Sequence, residues 1–329
     1  MSVLQELSDL ALTRSGLIPA SDLAAIGWHP STVQRVVAGG ALVTVRRGVY
    51  AAASDWASAS RDERHRLLVR ATALISREDT VFSHASAAVM HGLARPGAWP
   101  KVVHVLHPDA SGGRRRGPTV LHRGRPDPDT VVIDGVRVTS LRRTLVDMAI
   151  AAPPETSVAM LDIALRRVND GREVLARADA VEEMRAGLLS LLGELAPARW
   201  AHRARASIGF AHPLAESVGE SLSRVRIARL GFVVPELQVR FAPVLGSYAR
   251  ADFYWRGIRR IGEFDGKVKY TRSQVPDGVD VAEIVYQEKL REDALRRLGE
   301  GVTRWPWSVL RKGPAFSSLL VEAGVPRAR

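Results

Sequence analysis

The sequence predicts an α+β chain built of several domains, and three observations carry that prediction. Its 329 residues are enough for two or three domains with a sizeable core. Helical periodicity and short strand-like runs interleave along the whole length. Glycine and proline breaks at 27, 39–40, 48, 153–154, 231 and 299 fall between those runs.

Hydrophobic content of 46% and charged content of 25% are ordinary for a globular protein. No apolar run approaches the roughly 20 residues of a membrane span. The N-terminus lacks the basic, apolar, small-residue order of a signal peptide. There is no cysteine, which excludes disulfides, thiolate zinc sites, iron–sulfur clusters and cysteine nucleophiles. A cytoplasmic protein without membrane contact is expected. The net charge of +12 favours polyanionic partners, nucleic acid first, with a basic protein that binds none as the alternative. The positive charge is nearly all arginine; Lys101, Lys267, Lys269, Lys289 and Lys312 are the lysines. Lys267 and Lys269 therefore stand out, because arginine does not easily replace a compact point charge.

Residues 1–55 read as a small helical unit ending in a hairpin. Val3 to Leu12 has helical spacing, and Ser21-Asp22 caps a short helix from Leu23 to Ile26. Pro30 sits at the first turn of a helix from Ser31 to Ala38, which Gly39-Gly40 ends. Leu42 to Val45 and Val49 to Ala51 flank the turn Arg46-Arg47-Gly48. This is the order of a winged helix-turn-helix. Ser31, Thr32, Gln34 and Arg35 then suit base edges and phosphates, and Arg46 and Arg47 at the wing tip suit phosphate or a groove. A small helical module that binds a protein is the competing reading.

Residues 56–152 read as a mixed α/β domain. Helices are expected over Arg61 to Arg77, Ser83 to Leu93 and Ser140 to Ala152. Strands are expected at Val102 to Leu106, Thr119 to His122 and Val131 to Thr139, the last split at Asp134-Gly135. His84 and His91 share a helix face but lack a third ligand at zinc spacing, so they read as structural. The loop Ser111 to Gly117 is either a phosphate contact or a solvated turn. Residues 153–208 read as a helical connector, with helices over Ser157 to Val168 and Ala178 to Leu195 and an arginine-rich link from Pro197 to Ser207.

Residues 209–329 carry the acids. A helix from Glu216 to Leu230 presents Glu216 and Glu220 on one face, with Arg224 a turn further on. Phe232 to Phe241 is strand-like. Asp252 opens an apolar run to Trp255, Arg256-Gly257 turns, and Ile258 to Phe264 leads into Asp265-Gly266. In a hairpin these place carboxylates on neighbouring strands, with Glu263, Asp265 and Lys267 on one face. Acids plus a lysine suit a divalent metal and phosphodiester cleavage. A charged helix from Asp280 to Leu298, a strand from Val302 to Trp305 and a short helix from Pro306-Trp307 complete the chain.

The order helix, three strands with acids on the second and third, helix, strand resembles the PD-(D/E)xK nuclease superfamily. Glu216-Ser217-Val218-Gly219-Glu220-Ser221, Arg224, Gly231, Pro235, Gln238, Asp252-Phe253, Glu263-Phe264-Asp265-Gly266, Glu288-Lys289, Arg291-Glu292, Leu298-Gly299 and Arg304 resemble a domain family related to the very-short-patch-repair endonuclease. The resemblance implies a restriction-endonuclease-like α/β core over 209–329. It also implies Asp252, Glu263, Asp265 and, from the helix, Glu220 or Glu216 as acids for Mg²⁺ or Mn²⁺, and Lys267 as the catalytic cation. The histidine that follows the Glu-x-Asp-Gly motif in such relatives has no counterpart, since no histidine follows His212. Gly27, Ser31 to Ala38, Gly39-Gly40 and Val45-Arg46-Arg47-Gly48-Val49-Tyr50 resemble the winged-helix domain of AbiEi-type antitoxins, which are autorepressors. His84 to Ala88 and Arg143 to Asp147 resemble the segment that often follows it.

Two functions follow as expectations. One is a DNA-binding protein whose C-terminal domain nicks or cuts DNA with Mg²⁺ or Mn²⁺. The other is a non-catalytic, antitoxin-type transcriptional regulator in a toxin–antitoxin or phage-defence system. DNA is the expected partner, with a cognate toxin and a second copy of the chain as further candidates.

Overall fold

A computed structural model describes residues 14–110, 113–124, 130–170, 174–196, 198–244, 247–266 and 299–328, together with Leu7, Leu10 and Ala11. The chain divides into two compact units: residues 1–151 with 190–201, and residues 152–189 with 202–329.

The first unit opens with β1 (Ile18–Pro19), α1 (Ala20–Ala25), α2 (Pro30–Ala38), β2 (Leu42–Arg46) and β3 (Val49–Ala52). The three strands form an antiparallel sheet in the order β1-β3-β2. Leu7, Ile18, Leu23, Val33 and Leu42 make its core. Gly48, at φ +79°, supplies the left-handed turn between β2 and β3. The α1 helix starts three residues earlier than Leu23, because the chain enters it directly from Pro19.

The module does not end its packing at residue 55. Helix α3 (Ala53–Ser58) leads to α4 (Arg61–Ala73), which starts with a Ser60–Glu63 capping box. Leu67 and Ala71 of α4 pack with Leu17, Val45 and Val49 in one cluster, so α4 backs the wing strands. Then follow α5 (His84–Met90), β4 (Val103–His107), β5 (Arg114–Arg116), β6 (Thr119–Arg123), the hairpin β7 (Val131–Ile133) and β8 (Val136–Val138), and α6 (Leu141–Ala151). Strand β6 sits between β4, parallel to it, and β5, antiparallel.

The second unit contains α7 (Pro154–Asn169), most of α8 (Val174–Leu195) and α9 (Ala198–Phe210), then α10 (Val218–Arg229). The arginine-rich stretch expected to be a link is thus the helix α9; Ala204, Ser207 and Ile208 form its buried side, while Arg203 and Arg205 are exposed. Next come β9 (Glu236–Val244), β10 (Ser247–Trp255), a 3₁₀ turn (Arg256–Ile258), β11 (Arg260–Asp265), β12 (Gly301–Pro306), α11 (Trp307–Leu310) and α12 (Gly313–Glu322). The sheet order is β9-β10-β11-β12, antiparallel except for the parallel pair β11–β12. The expected charged helix over 280–298 lies outside the described residues, as do Lys267, Lys269 and Glu288 to Asp293.

Phe253, Trp305, Phe316 and Leu320 are fully buried in the core of this unit, along with Leu222 and Ile227 of α10. Each such side chain contributes about 1.5–3 kcal/mol by leaving water. Two glycines permit the close approach. A Cβ on Gly219 would lie 1.9 Å from the Phe264 ring, and one on Gly262 would lie 2.6 Å from the Trp305 ring. Trp305 Nε1 donates to Ser223 Oγ at 2.9 Å, tying β12 to α10. Asp162 of α7, fully buried, accepts from Arg224 Nη1 at 3.1 Å and from the His212 backbone N–H at 2.7 Å. Burial raises the Asp162 carboxyl to about 6 despite the Arg224 charge beside it.

Candidate nucleic-acid interface and acidic cluster

Pro30 at the first position sets the start of α2, and His29 Nδ1 accepts from the Ser31 backbone N–H. Val33 turns inward, which leaves Ser31, Gln34 and Arg35 exposed and Thr32 half-buried. The Ser31 hydroxyl is hydrogen-bonded to His29 Nδ1 at 2.8 Å. The exposed face of α2 therefore offers a hydroxyl at the positive start of the helix and, further along, an amide and a guanidinium, a set suited to base edges and phosphates.

The two wing arginines differ. Arg47 is exposed. Arg46 is half-buried, and its Nη2 donates to Thr119 Oγ1 of β6 at 3.1 Å. Burial lowers the Arg46 pKa from its ordinary value. Arg46 thus anchors the wing to β6, while Arg47 faces outward.

The acids of the second unit gather around the start of α10. Ser217 caps the helix by accepting from the Glu220 N–H at 3.1 Å, and its hydroxyl donates back to Glu220 Oε1 at 2.8 Å. Glu220 Oε2 accepts from the Glu216 N–H at 2.9 Å and from Gln238 Nε2 at 3.1 Å. Gln238 holds a left-handed backbone, φ +53°, at the point where its side chain reaches Glu220. Burial, and then the nearby Asp252 charge, push the Glu220 carboxyl up to about 7.

Asp252 lies on β10 and Glu263 on β11. The pair Phe253–Gly262 sets their register, and one step outward places Asp252 across from Glu263. Asp252 Oδ2 accepts from the Phe264 backbone N–H at 3.0 Å. Glu263 is buried, and its Oε2 pairs with Arg304 Nη2 at 2.9 Å; the parallel β11–β12 register sets those residues side by side. Glu216 pairs with Arg250 at 2.7 Å. Asp265, at the end of β11, is exposed. Glu220 and Asp252 are therefore brought together, while Glu263 is drawn to an arginine. Among the described residues no group of three or more histidine or acidic side chains is arranged to hold a metal ion.

The sequence reading passed over several partners. Arg304 meets Glu263 only through the β11–β12 pairing, and Arg250 of β10 meets Glu216, which precedes α10. His104 and His122 join His84, where His91 does not: His91 Nε2 is hydrogen-bonded to the Thr139 carbonyl at 2.8 Å. The available signal was the placing of histidines in two successive strand-like runs.

Residues 5–53 match the family model described as "Transcriptional regulator, AbiEi antitoxin". This match supports a DNA-binding regulatory role, with DNA and a toxin as the partners such a family implies. No curated protein sequence matches the chain. Among solved structures, the RV2827C protein from Mycobacterium tuberculosis is similar at 18% identity, over 63% of this chain and 80% of that one, with a TM-score of 0.33. No helix among the described residues is long and apolar enough to cross a membrane.

Proposed function

We propose that the protein is a DNA-binding transcriptional regulator of the antitoxin type, which reads DNA with α2 and grips the flanking backbone with the β2–β3 wing. The observation that carries this reading is the exposed Ser31, Gln34 and Arg35 face of α2, within the stretch that matches the antitoxin regulator family. The +12 net charge supplies the attraction to phosphate. A cognate toxin and a second copy of the chain are the further partners in this reading. The test is DNase footprinting on the DNA upstream of its own gene, with a promoter-fusion reporter. Protection of a discrete site and repression lost in Gln34→Ala/Arg35→Ala support the reading. Uniform protection and unchanged reporter output refute it.

A second reading, a metal-dependent nuclease, draws support from the β9-β10-β11-β12 order with its parallel last pair and from the Glu220–Asp252 approach. Its acids would be Asp252, Glu263, Asp265 and Glu220, with Lys267 and Mg²⁺ or Mn²⁺. The described acids do not fit a preformed ion site: Glu263 is paired with Arg304 and one Asp252 oxygen is held by the Phe264 N–H. Cleavage of plasmid, mismatched or single-stranded DNA with Mg²⁺ or Mn²⁺, abolished by Asp252→Ala, would establish this reading. Binding without cutting on every substrate would end it.

A further inference from the structure

The basic run from 114 to 116 is not a loop but strand β5, paired antiparallel with β6. Gly117-Pro118 makes the two-residue turn between them, with Gly117 in the left-handed region at φ +59°. That turn sets Arg116 across from Thr119, Arg115 across from Val120 and Arg114 across from Leu121. The order β4-β6-β5 makes β5 an outer strand of its sheet. Residues 110–124 hold four arginines and no acid.

This hairpin lies against the wing. Thr119 Oγ1 accepts from Arg46 Nη2 at 3.1 Å, which ties the tip of β2 to the start of β6. Opposed residues of an antiparallel pair share a face, and so do residues two apart on one strand. Arg116, Thr119 and Arg123 are therefore on the face to which the wing is tied, and Arg115 is on the other. Arg116 stands one strand spacing, about 4.8 Å, beyond Thr119. Arg116 and Arg123 are both exposed, and neither makes a hydrogen bond or ion pair among the described residues. Arg115 Nε instead donates to the Gly117 carbonyl at 2.9 Å. Charge on an outer strand also deters edge-to-edge pairing, but that role needs neither this face nor the wing beside it.

We propose that Arg116 and Arg123 continue the phosphate contacts of the wing, so that the β5–β6 hairpin grips the backbone of the same duplex beyond Arg47. The proposal rests on the reading of α2 and the wing as the DNA-binding element, and it extends that element past residue 53. From Thr119 to Arg123 the strand advances four rises, about 13 Å, which matches about 4 base pairs at 3.4 Å each. Guanidinium groups suit the task because they meet phosphate oxygens with two parallel hydrogen bonds. Phosphate contacts fix position and carry no sequence information. The hairpin therefore adds affinity and salt dependence without adding sequence preference.

The test titrates full-length protein into labelled upstream and scrambled duplexes, read by fluorescence anisotropy between about 50 and 200 mM salt. Arg116→Ala/Arg123→Ala should lower the slope of log affinity against log salt by about 1.8, an about 12-fold smaller loss of affinity across that range. Its ratio of affinities for the two duplexes should stay as in wild type. Arg115→Ala should lower the slope by less than about half of the 0.9 expected for one contact. Arg116→Lys/Arg123→Lys should keep the wild-type slope, which separates lost charge from lost fold. In hydroxyl-radical footprinting, wild-type protein should protect about 4 base pairs more past the wing than the alanine pair does. A wild-type slope in the alanine pair, with upstream preference intact in wild type, overturns the hairpin contact and leaves the reading by α2 standing. Equal slope losses in Arg115→Ala and Arg116→Ala, or a slope lost in the lysine pair as well, also overturn it. Wild-type protein without upstream preference overturns the reading by α2, while a slope reduced only in the alanine pair still supports the hairpin.

Discussion

Removing the N-terminal arginines one at a time separates those that meet DNA from the one that holds the wing. Arg35 on α2 and Arg47 at the wing are exposed, whereas Arg46 is bonded to Thr119. Each phosphate neutralised by a cation contributes about 0.9 to the slope of log affinity against log salt. Between about 50 and 200 mM salt, one such contact changes affinity by about 3.5-fold. Arg47→Ala should therefore lower the salt slope by about 0.9 and flatten the salt response by that factor. Arg35→Ala should do the same if it contacts phosphate, and keep the slope but lose sequence preference if it contacts a base. Arg46→Ala should leave the slope unchanged and weaken binding equally at every salt concentration, with Thr119→Val reproducing part of that loss. The assay is fluorescence anisotropy on a labelled duplex from the upstream region. Equal slope reductions for Arg46→Ala and Arg47→Ala would refute the assignment of Arg46 as an anchor.

Three further outcomes follow from the second unit. The Glu220 carboxyl is raised to about 7 in the folded state, so between its unfolded value and that point the native state binds more protons and stability falls as pH rises. Glu220→Gln should remove about 2 kcal/mol of that fall between about pH 5 and pH 8 in urea unfolding, and parallel curves would contradict it. Gly219→Ala drives a methyl into the Phe264 ring and should destabilise by about 1–3 kcal/mol, read as a lower urea midpoint; an unchanged midpoint would show that α10 and β11 can part freely. Arg224→Ala leaves Asp162 buried without its charge partner and should cost about 3–5 kcal/mol, largely recovered in Asp162→Ala/Arg224→Ala; equal losses in single and double variants would argue against coupling.

The local elements of the N-terminal module were readable because their punctuation is strong. Pro30 starts α2, Gly39-Gly40 ends it, and Gly48 turns the wing. What lies between remote segments was not readable. The Arg46–Thr119 bond joins residues 73 apart, and a lone wing arginine looks the same whether it is solvated or docked. The arginines of 197–207 mask the helical pattern of α9, whose inward side, Ala204, Ser207 and Ile208, consists of small and β-branched residues. The acids were legible as a pattern, but pattern says nothing of their partners. Only the parallel β11–β12 pairing shows that Glu263 meets Arg304, and only the placing of α10 shows that Glu220 lies within reach of the Asp252 charge. The histidines escaped notice because spacing along α5 favoured His84 with His91, whereas His84 joins the histidines of β4 and β6.

The most direct test of the central claim compares wild-type protein with Gln34→Ala/Arg35→Ala on the upstream duplex and on a scrambled duplex of equal length, at about 150 mM salt. Reading by α2 predicts wild-type affinity at least about 1,000-fold tighter for the upstream duplex, with the double variant losing most of that preference but keeping its weak affinity for scrambled DNA. Equal wild-type affinity for the two duplexes, or a preference untouched by the double substitution, would contradict it.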